Sequence, residues 1–336
     1  MDPLTQGVLG AAAAQAVAPR ERTVWAGVLG GLSGMAPDLD VLIRSAEDPL
    51  LFLEYHRQFT HSLVFIPIGG LICAIVLFAL VRRRMSFGSA YLYCVGGYAT
   101  HGLLDACTSY GTQLFWPFSN LRIAWNNVSV IDPLVTLPLL AFVSLSTVRA
   151  APVWARLGCV WVVLYLSLGV LQRERVESFG ESVAASRGHE VVEVVAKPAF
   201  ANLLLWKTIY AYEDRYYVDA ARMGWRPRSF EGESVPALVP SRDLAWLDPA
   251  STQGEDLERF RWFSGGYIAL DPVRGDRVID VRYSMIPNRI EALWGIEIDP
   301  SVPPSAHARF FTSREVGPER RAEILQMLFD EPPLRD

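Results

Sequence analysis

Long apolar runs fill the first half of the chain, and alternating apolar and polar positions fill much of the second half. Residues 62–81 form an uncharged run of 20 residues, which is long enough to cross a hydrocarbon core of about 30 Å as a helix. The other apolar runs cover residues 4–18, 23–36, 86–107, 128–148 and 152–171. We therefore predict a polytopic helical membrane domain, residues 1–171, with about four to six membrane helices.

The second half has the pattern of a water-soluble domain. Strand-like alternation covers residues 190–197, 203–212, 215–222, 266–271, 277–284 and 292–298. Glu213 and Asp214 fit a hairpin turn between the second and third of these segments. Residues 224–258 are irregular, and residues 317–330 have the pattern of an amphipathic closing helix. We predict that residues 172–336 form an α+β domain with an antiparallel sheet.

Charge is distributed as unevenly as hydropathy. Residues 1–171 contain 10 Arg, no Lys and 9 acidic residues, whereas residues 172–336 contain 21 basic and 27 acidic residues. The net charge of −5 argues against a nucleic-acid-binding protein. The four cysteines all lie in the apolar half without a C-x-x-C pair, so they are expected to be buried apolar residues rather than disulfides or zinc ligands.

Arginine counts predict the orientation in the membrane. If all six runs cross, seven Arg residues lie in the short loops of one side, and Arg44, Arg57 and Arg122 lie on the other. Arg-rich loops are typically cytoplasmic. We therefore expect a multi-pass protein of the inner (plasma) membrane, with residues 37–61, residues 108–127 and the soluble tail on the periplasmic or outer side.

Ionisable side chains gather in three short stretches beside or inside the apolar runs, where such groups are costly and usually functional. They are Asp38 and Asp40 after the second run, His56 and His61 before the third, and His101 and Asp105 within the fourth. The last two are four residues apart and share one helix face. The predicted topology brings all three stretches to the same side of the membrane.

Three imidazoles and three carboxylates suit a divalent transition metal such as zinc, manganese or iron rather than calcium. We predict that these six residues bind one or two ions, most readily zinc or manganese. A bound ion acidifies water and polarises an ester or phosphoryl oxygen. The predicted activity is therefore hydrolysis of a lipid-linked or membrane-proximal (phospho)ester, with a membrane lipid or lipid-linked molecule as the substrate.

Further residues have two interpretations each. Asp105 or another of the carboxylates, or alternatively Glu54, is a candidate general base. Arg57 either binds an anionic substrate group or lies among lipid headgroups. Asp132 either orients a histidine or caps a helix. The aromatic residues of segment 108–127 suit the lipid–water interface, or alternatively a lid over the metal site.

Seven short motifs follow one another along the chain: residues 1–5 (MDPLT), 37–40 (PDLD), 56–62 (HRQFTHS), 100–105 (THGLLD), 108–112 (TSYGT), 116–119 (WPFS) and 131–133 (IDP). Taken together and in this order, they resemble the YdjM-type (LexA-regulated-like) family of membrane-bound, metal-dependent hydrolases. The resemblance covers residues 1–135 and implies a polytopic inner-membrane metal-dependent hydrolase. Many relatives carry His where this chain has Gln6, so a metal ligand from the first run is not expected here.

Two other functions compete with hydrolysis. A divalent-ion transporter would use the same residues as a transit site, but it would need polar groups on both sides of the bilayer. A non-catalytic assembly protein would use the metal only to join helices and its tail to bind a protein partner. In the tail itself, His189 and His307 are expected to be surface residues away from acidic clusters.

Overall fold

The computed structural model describes residues 1–313 and 317–329. The chain forms two compact units. The first comprises Met1–Ile43, Tyr55–Leu171 and Phe200–Asn202, and the second comprises Arg44–Glu54, Gln172–Ala199 and Leu203–Asp336. Segment Arg44–Glu54 thus belongs to the second unit, although both of its sequence neighbours belong to the first. Residue 330, the last of the predicted closing helix, lies outside the described residues.

Every predicted apolar run contains a helix. The helices before the sheets are α1 (Pro3–Val17), α2 (Thr23–Met35), α3 (Leu51–Tyr55), α4 (Ile66–Val81), α5 (Phe87–Ala106), α6 (Pro133–Val148) and α7 (Pro152–Ser186). Local sequence sets their ends. Helix α1, for example, begins after Asp2, whose carboxylate accepts a hydrogen bond from the Thr5 amide at 3.0 Å, and Pro3 occupies the first turn.

Within residues 1–313 and 317–329, two helical segments are long and apolar enough to cross a membrane, Leu63–Val81 with 19 residues and Pro152–Ser186 with 35. The predicted count of four to six membrane helices is therefore not supported. Helices α1 and α2 have 15 and 13 residues, which at 1.5 Å per residue is only about 20 Å. Helix α6 has 16 residues, and α5 carries His101 and Asp105 in its interior.

Close backbone approach joins α1, α2 and α5. A Cβ at Gly30 would overlap the backbone of Gly10, and a Cβ at Gly97 would overlap the backbone of Gly30. Glycine at these positions lets the helices pack closer than larger side chains would allow. The end of α2 is thereby held against the middle of α5.

The second unit contains two antiparallel sheets, which confirms the predicted class of the tail. Its strands are β1 (Val194–Pro198), β2 (Leu205–Tyr212), β3 (Arg215–Arg222), β4 (Arg228–Phe230), β5 (Ser234–Pro236), β6 (Ile268–Leu270), β7 (Arg277–Asp280), β8 (Trp294–Glu297) and β9 (Arg309–Thr312). One sheet has the order β1-β2-β3-β4 with β5 paired to β3, and the other has the order β6-β7-β8-β9. Tyr212 pairs with Arg215, which confirms the predicted hairpin turn at Glu213 and Asp214.

Residues 224–258 are more regular than predicted. Strands β4 and β5, helix α8 (Pro240–Asp243) and the start of α9 (Thr252–Phe263) lie in this range, and α10 (Pro318–Phe329) follows the second sheet. Ser251 caps α9 by accepting from the Gly254 amide at 3.2 Å. Leu257 and Phe260 face the core. The surrounding Pro, Ser and Gly residues obscured this helical period in the sequence.

Candidate metal centre

Asp38 and Asp40 lie on a 3₁₀ helix, Ala36–Leu42, that follows α2. Because such a helix has three residues per turn, Pro37 and Asp40 share a face, and both are buried. Asp38 lies on the neighbouring face with 24% of its side chain exposed. The two carboxylates therefore point in different directions, one into the protein and one toward its edge.

His61 ends a second 3₁₀ helix, Phe59–His61, two residues before the candidate span Leu63–Val81. The Tyr98 hydroxyl donates to the carbonyl of Thr60 at 2.8 Å. Ser62 caps the next turn by accepting from the Phe65 amide at 3.3 Å. These bonds fix the backbone around His61, whose side chain is buried.

His101 and Asp105 lie one turn apart on α5, as their spacing predicts, and both are fully buried. Nδ1 of His101 lies 2.6 Å from the carbonyl oxygen of Gly34, which the close packing of α2 and α5 brings within reach. A carbonyl only accepts, so Nδ1 carries the proton and donates. Nε2 therefore keeps its lone pair.

Four side-chain atoms converge, and all lie within 4.8 Å of one another. They are Oδ1 of Asp38, Nε2 of His61, Nε2 of His101 and Oδ2 of Asp105. Nε2 of His61 lies 3.6 Å from Asp38 and 3.3 Å from Asp105, and Nε2 of His101 lies 3.3 Å and 3.7 Å from the same two oxygens. The two nitrogens and the Asp105 oxygen are buried, and none has a hydrogen-bond partner among the described residues.

This donor set fits a divalent metal ion. Donors about 2.0–2.2 Å from a tetrahedral ion lie roughly 3.3–3.6 Å from each other, close to the four nitrogen–oxygen separations of 3.3–3.7 Å here. Buried polar atoms that make no hydrogen bond are costly, and a shared cation would satisfy these three atoms. Two imidazoles beside two carboxylates suit a transition metal, because calcium and magnesium prefer oxygen alone.

Asp40 and His56, the other two predicted ligands, are not among the four converging groups. Oδ1 of Asp40 lies 2.7 Å from Nδ1 of His56. Oδ2 accepts from the Arg57 amide at 3.0 Å and the Thr60 hydroxyl at 2.8 Å, and it lies 3.2 Å from Nδ1 of His61. Asp40 thus orients both histidines from the side away from the centre.

Arg57 is buried beside the centre. Its Nε forms an ion pair with Oδ2 of Asp105 at 3.0 Å, and its Nη1 donates to the Thr108 hydroxyl at 3.1 Å. The guanidinium also lies over the ring of Tyr110, 4.8 Å from the centroid. Arg57 therefore balances the charge of Asp105 from the interior, instead of lying among lipid headgroups.

Gln6 contributes to the centre without being one of the four converging groups. Its side-chain amide donates to Oδ1 of Asp105 at 2.9 Å, and the amino group of Met1 contacts the same oxygen. These contacts leave Oδ2 of Asp105 facing the other donors. Sequence reasoning considered Gln6 only as a poor ligand and missed this orienting contact, although the motif at residues 1–5 indicated the position.

The electrostatics of the centre favour a positive charge. Burial alone lowers the pKa of His61, but the adjacent carboxylates of Asp105, Asp38 and Asp40 outweigh burial and raise that pKa to about 10. Burial raises the pKa of Asp38, yet the adjacent imidazoles of His101 and His61 hold it well below its usual range. The centre therefore attracts a proton or a cation.

Glu54, a predicted general base, belongs to the second unit, where its carboxylate accepts from Nε of Arg259. Arg259 also binds both oxygens of Asp48, at 3.1 and 2.8 Å, and Asp256 at 2.9 Å. Nδ1 of His307 lies 2.9 Å from Asp256, so the prediction that His307 is remote from acidic groups is wrong. Asp48, Asp256 and His307 form a second group of candidate metal donors, and Arg259 binds both carboxylates of that group.

Asp132 is a helix cap. Its Oδ1 accepts from the Leu134 amide at 3.0 Å and its Oδ2 accepts from the Tyr165 hydroxyl at 2.9 Å. Of its two predicted roles, the structure thus shows the cap of α6.

The model of the YdjM inner membrane protein family matches residues 1–176, just over half of the chain. A curated relative, the uncharacterized protein YfhP of Bacillus subtilis (strain 168), is 24% identical over 260 residues, which is 74% of each chain. No solved structure matches the chain. The family match covers the whole first candidate span, part of the second, and all four converging residues.

Proposed function

The chain belongs to the YdjM inner membrane protein family, and from that membership and the buried donor cluster we propose that it is a membrane-embedded, metal-dependent hydrolase. The observation that carries the proposal is the convergence of buried donor atoms of His61, His101 and Asp105 that make no hydrogen bond to the described residues. The favoured substrate is a lipid-linked or membrane-proximal (phospho)ester, because His61 lies two residues before a candidate span.

Asp38, His61, His101 and Asp105 would hold one ion, with zinc and manganese favoured by the mixed nitrogen and oxygen donors. A bound ion of this kind lowers the pKa of a water molecule and polarises the oxygen of the scissile ester. Asp38 is the partly exposed member of the four, so substrate and water would enter on its side.

We assign His56 the role of proton carrier. Its Nδ1 is held by Asp40, its side chain is 21% exposed, and its ring centroid lies 6.1 Å from that of His61. An imidazole oriented by a carboxylate can take a proton from water and give it to a leaving oxygen. In this arrangement Asp40 orients His56 and His61, while Arg57 offsets the charge of Asp105.

The two candidate spans give an orientation in which α5 must reach back to the outer side, because its His101 and Asp105 converge with His61, which precedes the first span. Arg82, Arg83 and Arg84 follow the first span, and Arg149 precedes the second. Both sets would be cytoplasmic by the positive-inside rule, which puts His61 and the residues after the second span on the outer side. A phosphatase fused after Leu171 should then be active in the periplasm, and a cytoplasmic reporter at that position should be silent.

Elemental analysis tests the metal site. We expect about one transition-metal ion per chain in full-length protein purified without chelator, loss of that ion in His61→Ala, and its retention in His56→Ala. Both variants should lose hydrolysis of a panel of phosphoesters and carboxylic esters presented in mixed micelles. Metal-free wild-type protein would rule out the site. A metal retained without exchangeable water and without any hydrolysis would favour the assembly role instead.

A further inference from the structure

Exposed apolar side chains lie directly beside the metal ligands in the first unit. On the 3₁₀ helix Ala36–Leu42, the three-residue turn puts Leu39 and Leu42 on one outward face, where they are 63% and 75% exposed. These leucines flank Asp38 and Asp40 in the chain. Large apolar side chains clustered on one face of a protein typically mark a contact surface.

A second group of exposed apolar side chains lies on the turn that follows α5. Phe115 is 50% exposed, Phe118 is 83% exposed and Leu121 is 66% exposed. Backbone bonds fix this turn against the segment that carries His61. The Gln113 amide donates to the carbonyl of Arg57 at 2.9 Å, and the Leu63 amide donates to the carbonyl of Leu114 at 3.0 Å.

Both groups of exposed apolar side chains lie on segments that are bonded to residues at the start of the first span. The span starts at Leu63, whose amide is bonded to the aromatic turn. The 3₁₀ helix is held to the same level, because Asp40 accepts from Thr60 at 2.8 Å and Asp38 lies 3.6 Å from His61. Leu63 and Val64 are themselves 38% and 45% exposed.

We propose that Leu39, Leu42, Phe115, Phe118 and Leu121 form an apolar rim that is immersed in the lipid–water interface around the metal centre. Phospholipid is the occupant, because the rim continues the exposed apolar surface of the span at its first turn. Leucine and phenylalanine side chains at this depth bind a bilayer through the burial of apolar area. The rim holds Asp38 at headgroup level, so an ester reaches the centre from within the leaflet. This last step rests on the proposed hydrolase function; the immersion does not.

Site-directed spin labelling tests the immersion. Leu42→Cys and Phe118→Cys variants of the full chain are labelled and reconstituted into phosphatidylethanolamine/phosphatidylglycerol vesicles, with the signal of labelled wild-type protein subtracted. We expect both labels to collide more often with oxygen, which partitions into lipid, than with a water-soluble nickel chelate. Val192→Cys, an equally apolar and fully exposed position of the second unit, should show the opposite ratio.

Chelate-dominated collisions at positions 42 and 118 would overturn the rim. So would labels shielded from both reagents in a chain that sediments as a dimer, because a second copy would then cover the surface. The link to catalysis is tested with Leu39→Ser/Leu42→Ser. This variant should keep its metal and its turnover of a water-soluble ester, but its KM for an ester embedded in vesicles should rise. If wild-type protein hydrolyses nothing, the labelling result still decides whether the rim is immersed.

Discussion

Asp40 offers the sharpest test of how the centre is built. The sequence predicts that Asp40 is a metal ligand, whereas in the structure its carboxylate contacts and orients His56 and His61. Its carboxylate accepts from His56, Arg57 and Thr60 and lies 3.2 Å from Nδ1 of His61, and Asp40 is not one of the four converging groups. Asp40→Asn removes the negative charge and keeps the shape. The amide oxygen can still accept from the Oδ2 side, and the amide NH₂ can donate to His56 once that imidazole changes tautomer.

The expected loss is intermediate in size. A hydrogen bond to a charged group contributes about 1.5–3 kcal/mol, and removal of such an outer partner of a metal-binding histidine typically costs about 10- to 100-fold in metal affinity. We therefore expect Asp40→Asn to weaken zinc binding by about 10- to 100-fold, or about 1.4–2.8 kcal/mol. His101→Ala, which removes a donor of the centre itself, should abolish stoichiometric binding.

The assay is competitive titration of the metal-stripped full chain in detergent with zinc against a chromophoric chelator. Glu47→Gln is the matched control, since it removes the same charge from an exposed position, and it should bind like wild type. Complete loss of zinc in Asp40→Asn would mean that Asp40 is a ligand after all. Unchanged affinity would refute its orienting role, so only the intermediate result agrees with the geometry.

Three further changes probe the packing around the centre and the second unit. Gly102→Ala should displace His61 and lose metal, because a Cβ there collides with the His61 carbonyl oxygen, whereas Gly96→Ala on the same helix meets nothing within 4 Å and should retain it. Arg259→Met should lower the free energy of unfolding by about 1–3 kcal/mol, seen as a lower melting temperature, because it removes a partner of buried Asp256; an unchanged melting temperature would contradict this. Burial lowers the pKa of Lys207 to about 7, so the unfolded state binds more protons between about pH 7 and 10.5 and stability should rise with pH there, by up to about 1.4 kcal/mol per pH unit. Lys207→Met should flatten that rise in chemical denaturation, and an unaltered slope would assign it to other groups.

Local periodicity in the sequence was sufficient to predict individual helices and strands. The spacing of four between His101 and Asp105 already implied one helix face, and the alternation after residue 190 already implied antiparallel strands. Hydropathy alone could not separate a crossing helix from a short apolar helix packed inside the protein. Helices α1 and α2 are short apolar helices of the packed kind, because their glycines allow close packing and their lengths fall short of a bilayer.

Tertiary contacts decided the rest of the site. Asp38 and Asp40 have the same side chain and lie two residues apart. The 3₁₀ turn places them on different faces, so that the Asp38 carboxylate joins the converging atoms and the Asp40 carboxylate orients the histidines. Glu54 lies two residues before His56, but its partner Arg259 is 205 positions away in the chain. No local sequence pattern indicates an ion pair between residues so far apart. For that reason Glu54, close to His56 in the sequence, was predicted to be a catalytic base.

The chemistry of the centre depends on how closely two helices approach. Gly30 and Gly97 let α2 and α5 meet backbone to backbone, and that approach brings the carbonyl of Gly34 to Nδ1 of His101. This hydrogen bond fixes the tautomer that leaves Nε2 free to bind an ion. The Ala/Gly-rich composition of the first two helices and the orientation of His101 in the fourth apolar run are therefore one feature of the fold. A sequence that kept every charged residue but enlarged those glycines would lose the geometry that turns Nε2 of this histidine toward the other three donors.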